Sequence, residues 1–193
     1  MIKIRREQIA GMNMHYKYRT LDYFFKTQQA LGIKNIEFWC ARPHFLLDDY
    51  GFEDAAELKK NAADYGLTIE AFSPECTIYN YALCCHDETA RKHSIGYFEN
   101  GIRAAAEAGA KVMVLNCCGG ARNEDPRRIF ERAVQTLRRL SKTAAEEGVV
   151  LAVEEPALRV DERLRLSPRP RAHAHVLQLA AQLVARRFQR VLL

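Results

Sequence analysis

Five times in succession the chain sets a short apolar run of strand character, four of them followed by a stretch with helical spacing, and this alternation restricts the fold more than any other feature. Residues 8–14, 34–40, 67–72, 111–116 and 148–154 read as strands, and residues 20–31, 52–65, 87–108 and 126–147 as helices. Gly32, Gly66, Gly109 and Gly148 each stand where a helix must stop, since glycine takes the left-handed conformation that closes a helix at low cost. Thr20 and Asp87 are placed as helix N-caps, and Pro126 falls in a first turn, where a missing N–H costs nothing. Strands separated by helices and short connections form βαβ units and hence a parallel sheet. The spacing, roughly 30 to 35 residues per unit, is that of an eightfold barrel. A doubly wound open sheet is the rival, but the G-x-G-x-x-G turn of its nucleotide-binding form is absent after the first strand. The sequence therefore predicts an α/β fold of the (β/α)8 TIM-barrel type, with about five βα units present.

The last of these strands ends on a carboxylate. Val149-Val150-Leu151-Ala152-Val153 is apolar without alternation, as suits a strand covered on both faces, and Glu154-Glu155-Pro156 follows. A barrel places its chemistry at the carboxyl ends of its strands, so Glu154 is the leading candidate for a functional carboxylate. Glu155 is the alternative by its adjacency to proline, and the length of the strand favours Glu154. The same rule selects Trp39 and Glu37 on the second strand, Glu75 after the third and Asn116 at the end of the fourth. The indole of Trp39 could offer a flat apolar face to a ligand. His44, behind Pro43 in the loop 41–50, could donate to a substrate hydroxyl or a phosphate. Residues 73–86 read as a long aromatic loop, a type that is usually functional. His86 and His93 are read as a helix-start cap or exposed face, and the arginine pairs 127–128 and 138–139 as a solvated outer face.

Charge divides unevenly along the chain. The formal charge is +5, yet the segment from Pro156 onward holds eight Arg and no Lys against Asp161 and Glu162, which leaves the first 155 residues at −1. A basic surplus confined to one segment is no argument for a nucleic-acid groove in the folded part. Two domains are expected on this basis: a partial barrel over residues 1–155 and an atypical Arg-rich tail over 156–193, with a basic amphipathic helix at 173–188. The six cysteines, in no C-x-x-C spacing, read as reduced thiols that fill space, and cytoplasmic localisation follows as an expectation. No apolar run approaches the ~18 residues of a membrane span, and residues 1–7 have no long apolar region behind them to make a secretory signal.

Taken together, Ile36-Glu37-Phe38-Trp39 with Arg42-Pro43-His44, Pro74-Glu75 with Tyr79-Asn80, and Asp87-Glu88 with Arg91 and Ser94 resemble the sugar isomerases and epimerases of the xylose-isomerase-like TIM-barrel superfamily. The nearest likeness is to the fructoselysine and ketose 3-epimerases, over roughly residues 8 to 162, and it stops short of the last three βα units. The resemblance implies a divalent cation, Mn²⁺ or Mg²⁺, held in part by Glu154, which would also act as an acid/base. It implies a small-molecule sugar or sugar derivative as substrate, no nucleic acid or membrane partner, and a homo-oligomer as an open association. The second acid/base and the remaining metal ligands of the family come from later strands, and no positions in this sequence match them. Two alternatives stand beside this reading: a non-catalytic partial barrel with an unpaired sheet edge, and a phosphodiesterase of the endonuclease IV type, which wants more histidine and a basic groove.

Overall fold

A computed structural model describes residues 4–76, 81–117, 120–121 and 123–154. Five strands form one parallel sheet in chain order: β1 (Ala10–Met12), β2 (Asn35–Cys40), β3 (Thr68–Pro74), β4 (Val112–Leu115) and β5 (Val150–Val153). Helices α1 (Leu21–Ala30), α2 (Ala55–Asp64), α3 (Glu88–Glu107) and α4 (Pro126–Glu146) connect them. A doubly wound sheet reverses its strand order at a switch point. The uninterrupted sequence β1 to β5 has no such point and is the arc of a singly wound barrel.

Local chemistry sets the ends of every helix. Thr20, Asp54, Asp87 and Asp125 accept hydrogen bonds from the backbone N–H groups of Tyr23, Glu57, Ala90 and Arg127, each cap contributing about 1 kcal/mol. At the other ends, Gly32, Gly66, Gly109 and Gly148 take φ of 67°, 69°, 81° and 70°. The residue after each glycine then donates back to the carbonyl five residues earlier: Ile33 to Gln28, Leu67 to Ala62, Ala110 to Ala105 and Val149 to Ala144. Four copies of one Schellman turn thus deliver the chain into β2, β3, β4 and β5.

The core lies between the sheet and the helices. Ile36, Phe38, Phe72, Met113 and Leu115 project from the sheet into a layer with Phe24, Leu58, Phe98, Ile102 and Leu140. Phe38, Phe45 and Phe72 pack as a trio with ring centroids 5.7–6.0 Å apart. The opposite face, which becomes the lumen of a barrel, carries the alternate residues Glu37, Trp39, Val112 and Val114, all half-buried.

Element boundaries depart from the sequence reading in three places. β1 is shorter than residues 8–14, because 3-10 turns at Arg6–Gln8 and Asn13–Tyr16 take its ends. α2 begins at Ala55 instead of residue 52, where Phe52 is engaged in a bridge with Leu47 and Asp54 supplies the cap. β3 runs on through Ser73 and Pro74, so the loop expected to begin at Ser73 begins later. Proline is tolerated at the end of that strand because the ladder resumes with the Glu75 N–H, which donates to the Cys40 carbonyl.

Candidate active site

The carboxyl ends of the strands bring Trp39, Glu75, Asn116 and Glu154 to one rim. Side chains alternate across a strand, and paired residues of parallel neighbours share a face. Ala71 pairs with Val112 and Phe72 with Met113, so by alternation Glu75 and Asn116 fall on the same face as Ala71 and Val112, at the carboxyl ends of β3 and β4. Leu115 pairs with Val153, and the Glu154 N–H continues the ladder to the Leu115 carbonyl at 2.8 Å, which sets Asn116 beside Glu154. Glu75, Asn116 and Glu154 therefore share the lumen side at the carboxyl ends of β3, β4 and β5. Glu154 is exposed, at the end of β5, the outermost strand among the described residues. Glu155, the alternative position, lies outside the described residues, as do Tyr79, Asn80 and the segment 156–193 with its expected helix.

Trp39 stands one row deeper, paired with Ser73. Its indole N–H reaches up to a carboxylate oxygen of Glu75 at 2.9 Å, which fixes the plane of the ring. Below it, the Ser73 hydroxyl donates to Glu37 at 2.5 Å, so Glu37 is bound within the sheet face. The backbone carbonyl of Glu75 accepts the Tyr97 hydroxyl at 2.8 Å, and burial pushes the Tyr97 phenol far above its ordinary pKa, so it remains a donor. Tyr97 in turn stacks on Tyr81 with ring centroids 3.8 Å apart.

His44 is held differently from the expectation that it reaches a substrate. Its Nδ1 lies 2.9 Å from the Asn13 amide nitrogen and its Nε2 lies 2.9 Å from the Arg19 carbonyl. These partners assign Nδ1 as acceptor and Nε2–H as donor, and both ring nitrogens are engaged within the protein. Asn13 is absent from the residues that the sequence singles out, although it directly follows β1 and the strand-end rule reaches it. It is fully buried, accepts the Trp39 N–H at 2.7 Å and donates to the Trp39 carbonyl at 2.9 Å. The amide of Asn13 thus ties the ends of β1 and β2 together and presents both Trp39 and His44.

The packing adds partners to residues that the sequence reading placed on exposed faces. His93 is bound to Asp49 through Nδ1. Arg139, exposed as the sequence reading has it, donates to both carboxylate oxygens of Glu99. Cys40, Cys84 and Cys117 are buried, as expected of small apolar residues, while Cys76 and Cys85 are half-buried. Among the described residues no helix is long and apolar enough to cross a membrane.

The oxygen donors of Glu75, Asn116 and Glu154 are of the hard type that Mn²⁺ or Mg²⁺ prefers. Among the described residues, however, no three His, Cys, Asp or Glu side chains are grouped to hold a metal ion. These residues alone do not constitute the divalent-metal site that the resemblance implies.

With the sequential sheet and its rim established, comparison with known proteins decides the family. The profile described as "Xylose isomerase-like TIM barrel" matches residues 25–158. The chain belongs to this family. It is 26% identical over 134 residues to fructoselysine 3-epimerase from Shigella flexneri, covering 69% of this chain and 49% of that protein. It is 29% identical over 168 residues to D-psicose 3-epimerase from Enterocloster bolteae, covering 77% of this chain and 52% of the relative. The xylose isomerase-like chain thus spans about half the length of the curated relatives it matches. Among solved structures, 3-keto-D-glucoside 4-epimerase from E. coli superposes with a TM-score of 0.58 at 17% identity, over 75% of this chain and 54% of that one. That likeness supports the fold.

Proposed function

We propose that this chain carries the first five βα units of a sugar epimerase or isomerase, acting on a ketose or ketose derivative, with Glu154 as the group that moves the proton. The observation that supports the reading most directly is the placement of Glu75, Asn116 and Glu154 on the lumen side at the carboxyl ends of β3, β4 and β5. The relatives named as fructoselysine 3-epimerase and D-psicose 3-epimerase support the substrate class.

Epimerisation beside a carbonyl removes a weakly acidic C–H proton and returns one to the opposite face. In this reading the Glu154 carboxylate accepts the proton, and an acid on the other face of the sugar returns it. A positioned carboxylate of this kind contributes roughly 10²–10⁴-fold to the rate. Glu75 and Asn116 hydrogen-bond the hydroxyls that flank the reacting carbon, and Trp39, its ring fixed by Glu75, lies beneath them. Mn²⁺ or Mg²⁺ would supply charge stabilisation to the developing oxyanion. The described residues do not hold such an ion alone.

The test is deuterium incorporation next to the carbonyl, followed by NMR in D₂O, for a panel of free and amine-linked ketoses with added Mn²⁺. Incorporation into at least one ketose, reduced about 100-fold or more by Glu154→Gln, is the expected result. No incorporation into any member of the panel, or incorporation undiminished by the substitution, overturns the proposal.

A further inference from the structure

Beside the lumen, the rim holds a hollow that the proton chemistry leaves unused. It is a cavity of about 200 Å³ between the loop that follows β2 and the end of β3. Phe45 and Leu47, both buried, and the stacked rings of Tyr81 and Tyr97 make much of its lining apolar. A cavity of about 150 Å³ takes a benzene molecule, so this one has room for the side chain of a leucine or a phenylalanine.

Two charged residues belong to the same lining, and they carry opposite signs: Arg42 and Glu75. The one carboxylate partner of Arg42 among the described residues is Glu53, which its Nη2 meets at 2.9 Å. Glu53 is itself fixed, since its other oxygen accepts the Leu46 N–H at 2.9 Å. A guanidinium has five N–H donors in a planar fork, so the bond to Glu53 leaves Arg42 able to grip a second carboxylate. Glu75 serves both hollows. Its carboxylate takes the Trp39 indole N–H on the lumen side, and an ionised carboxylate has lone pairs for further donors. A plain carboxylate ligand would meet Glu75 and a plain amine would meet Arg42, each a like-charge approach. A ligand that carries both charges and an apolar body, as an apolar α-amino acid does, meets neither obstacle. Its ammonium, beside Glu75, then stands where the cavity adjoins Trp39.

We propose that the cavity is a subsite for the amino-acid half of a conjugate in which the terminal carbon of a ketose is joined to the α-nitrogen of an apolar amino acid. The carboxylate meets Arg42, the secondary ammonium meets Glu75, and the side chain fills the space among Phe45, Leu47, Tyr81 and Tyr97. The sugar extends past Trp39 into the lumen. This assignment rests on the sugar reading above and narrows it from ketoses at large to one conjugate class.

The experiment is isothermal titration calorimetry of the full chain with the fructose–phenylalanine conjugate, its carboxamide, free fructose and free phenylalanine. The conjugate is expected to bind about tenfold or more tightly than its carboxamide or either half alone, the scale of one charge-assisted hydrogen bond. Arg42→Gln should abolish the preference for the conjugate over its carboxamide, with circular dichroism verifying the fold. Should that variant fail to fold, the carboxamide carries the comparison on the wild-type chain. Equal binding of conjugate and carboxamide, no binding of the conjugate, or a preference that survives in folded Arg42→Gln overturns the subsite. Free phenylalanine binding as tightly as the conjugate would make the cavity a site for free amino acids and overturns it too. Because the readout is binding, these failures are distinct from a failure of deuterium incorporation, which overturns the proton transfer alone.

Discussion

The indole N–H of Trp39 and the carboxylate of Glu75 are joined at 2.9 Å across the ends of β2 and β3. This bond fixes an aromatic ring at the rim, and it makes the ring a reporter, because Trp39 is the only tryptophan in the chain. Glu75→Ala removes an ionised acceptor, a loss of about 1–2 kcal/mol. Urea unfolding followed by fluorescence is expected to show that loss together with an altered native emission maximum. Unchanged emission and an unchanged midpoint would mean that the bond does not form in solution.

Asn13 offers a larger effect from a smaller side chain. Its amide meets the Trp39 N–H, the Trp39 carbonyl and His44 Nδ1, and it is fully buried. Asn13→Ala leaves the Trp39 groups and the ring nitrogen without these partners where water has little access, at about 1–3 kcal/mol for each group left unsatisfied. A total near 3 kcal/mol is expected from chemical denaturation, and an effect below about 0.5 kcal/mol, typical of a surface substitution, would contradict the bridging role.

What can be read in the sequence is what is local. The caps Thr20 and Asp87, the N1 proline Pro126 and the four glycine stops act within a few residues of themselves, and each is legible without the fold. The strand-end rule reaches Glu75, Asn116 and Glu154 because alternation and parallel register carry a position across the sheet without further information. The bonds that hold the site are not legible. Asn13 meets Trp39 across 26 residues and His44 across 31, and nothing in the neighbourhood of any of the three announces the others. His44 shows the consequence: a histidine behind a proline looks available in the sequence, and its availability is decided by Asn13 and by the Arg19 carbonyl. The hydrogen bond from the Cys84 thiol to the Cys117 carbonyl is hidden for the same reason, since α3 and β4 intervene.

Asp49 makes stability depend on acid. Burial by itself would raise its pKa. The hydrogen bond from His93, the Asp49 backbone N–H, the His93 charge and the Tyr81 hydroxyl together outweigh this, and the carboxyl lies below its ordinary value of 3.8. A carboxylate with a lowered folded-state pKa stabilises the fold above its unfolded pKa and loses that contribution as pH falls through the folded value. Asp49→Asn cannot titrate, so the stability gap between wild type and variant should be full at neutral pH and shrink below about pH 4. Urea midpoints measured for both proteins from neutral to acid pH test this, and a gap independent of pH would refute it.

Arg132 and Arg139 both stand on α4, and the structure gives them unequal weight. Arg132 Nη2 meets both oxygens of Glu124 at 2.9 and 2.8 Å, with side-chain exposures of 15% and 21%, while its Nε holds the Cys84 carbonyl. Arg139 meets Glu99 from a side chain that is 59% exposed. Lysine keeps the charge in either place but cannot satisfy a carboxylate and a carbonyl at once, because it lacks the planar fork. Arg132→Lys is therefore expected to cost about 1–2 kcal/mol. Arg139→Lys should cost less than about 0.5 kcal/mol, as for an exposed pair. Amide exchange adds a spatial readout, since losing the Arg132 contact should speed exchange at Cys85, whose N–H donates to Ala82 in the turn that Arg132 grips. Equal costs for the two substitutions, or exchange at Cys85 unaffected by Arg132→Lys, would show that α4 does not anchor this turn.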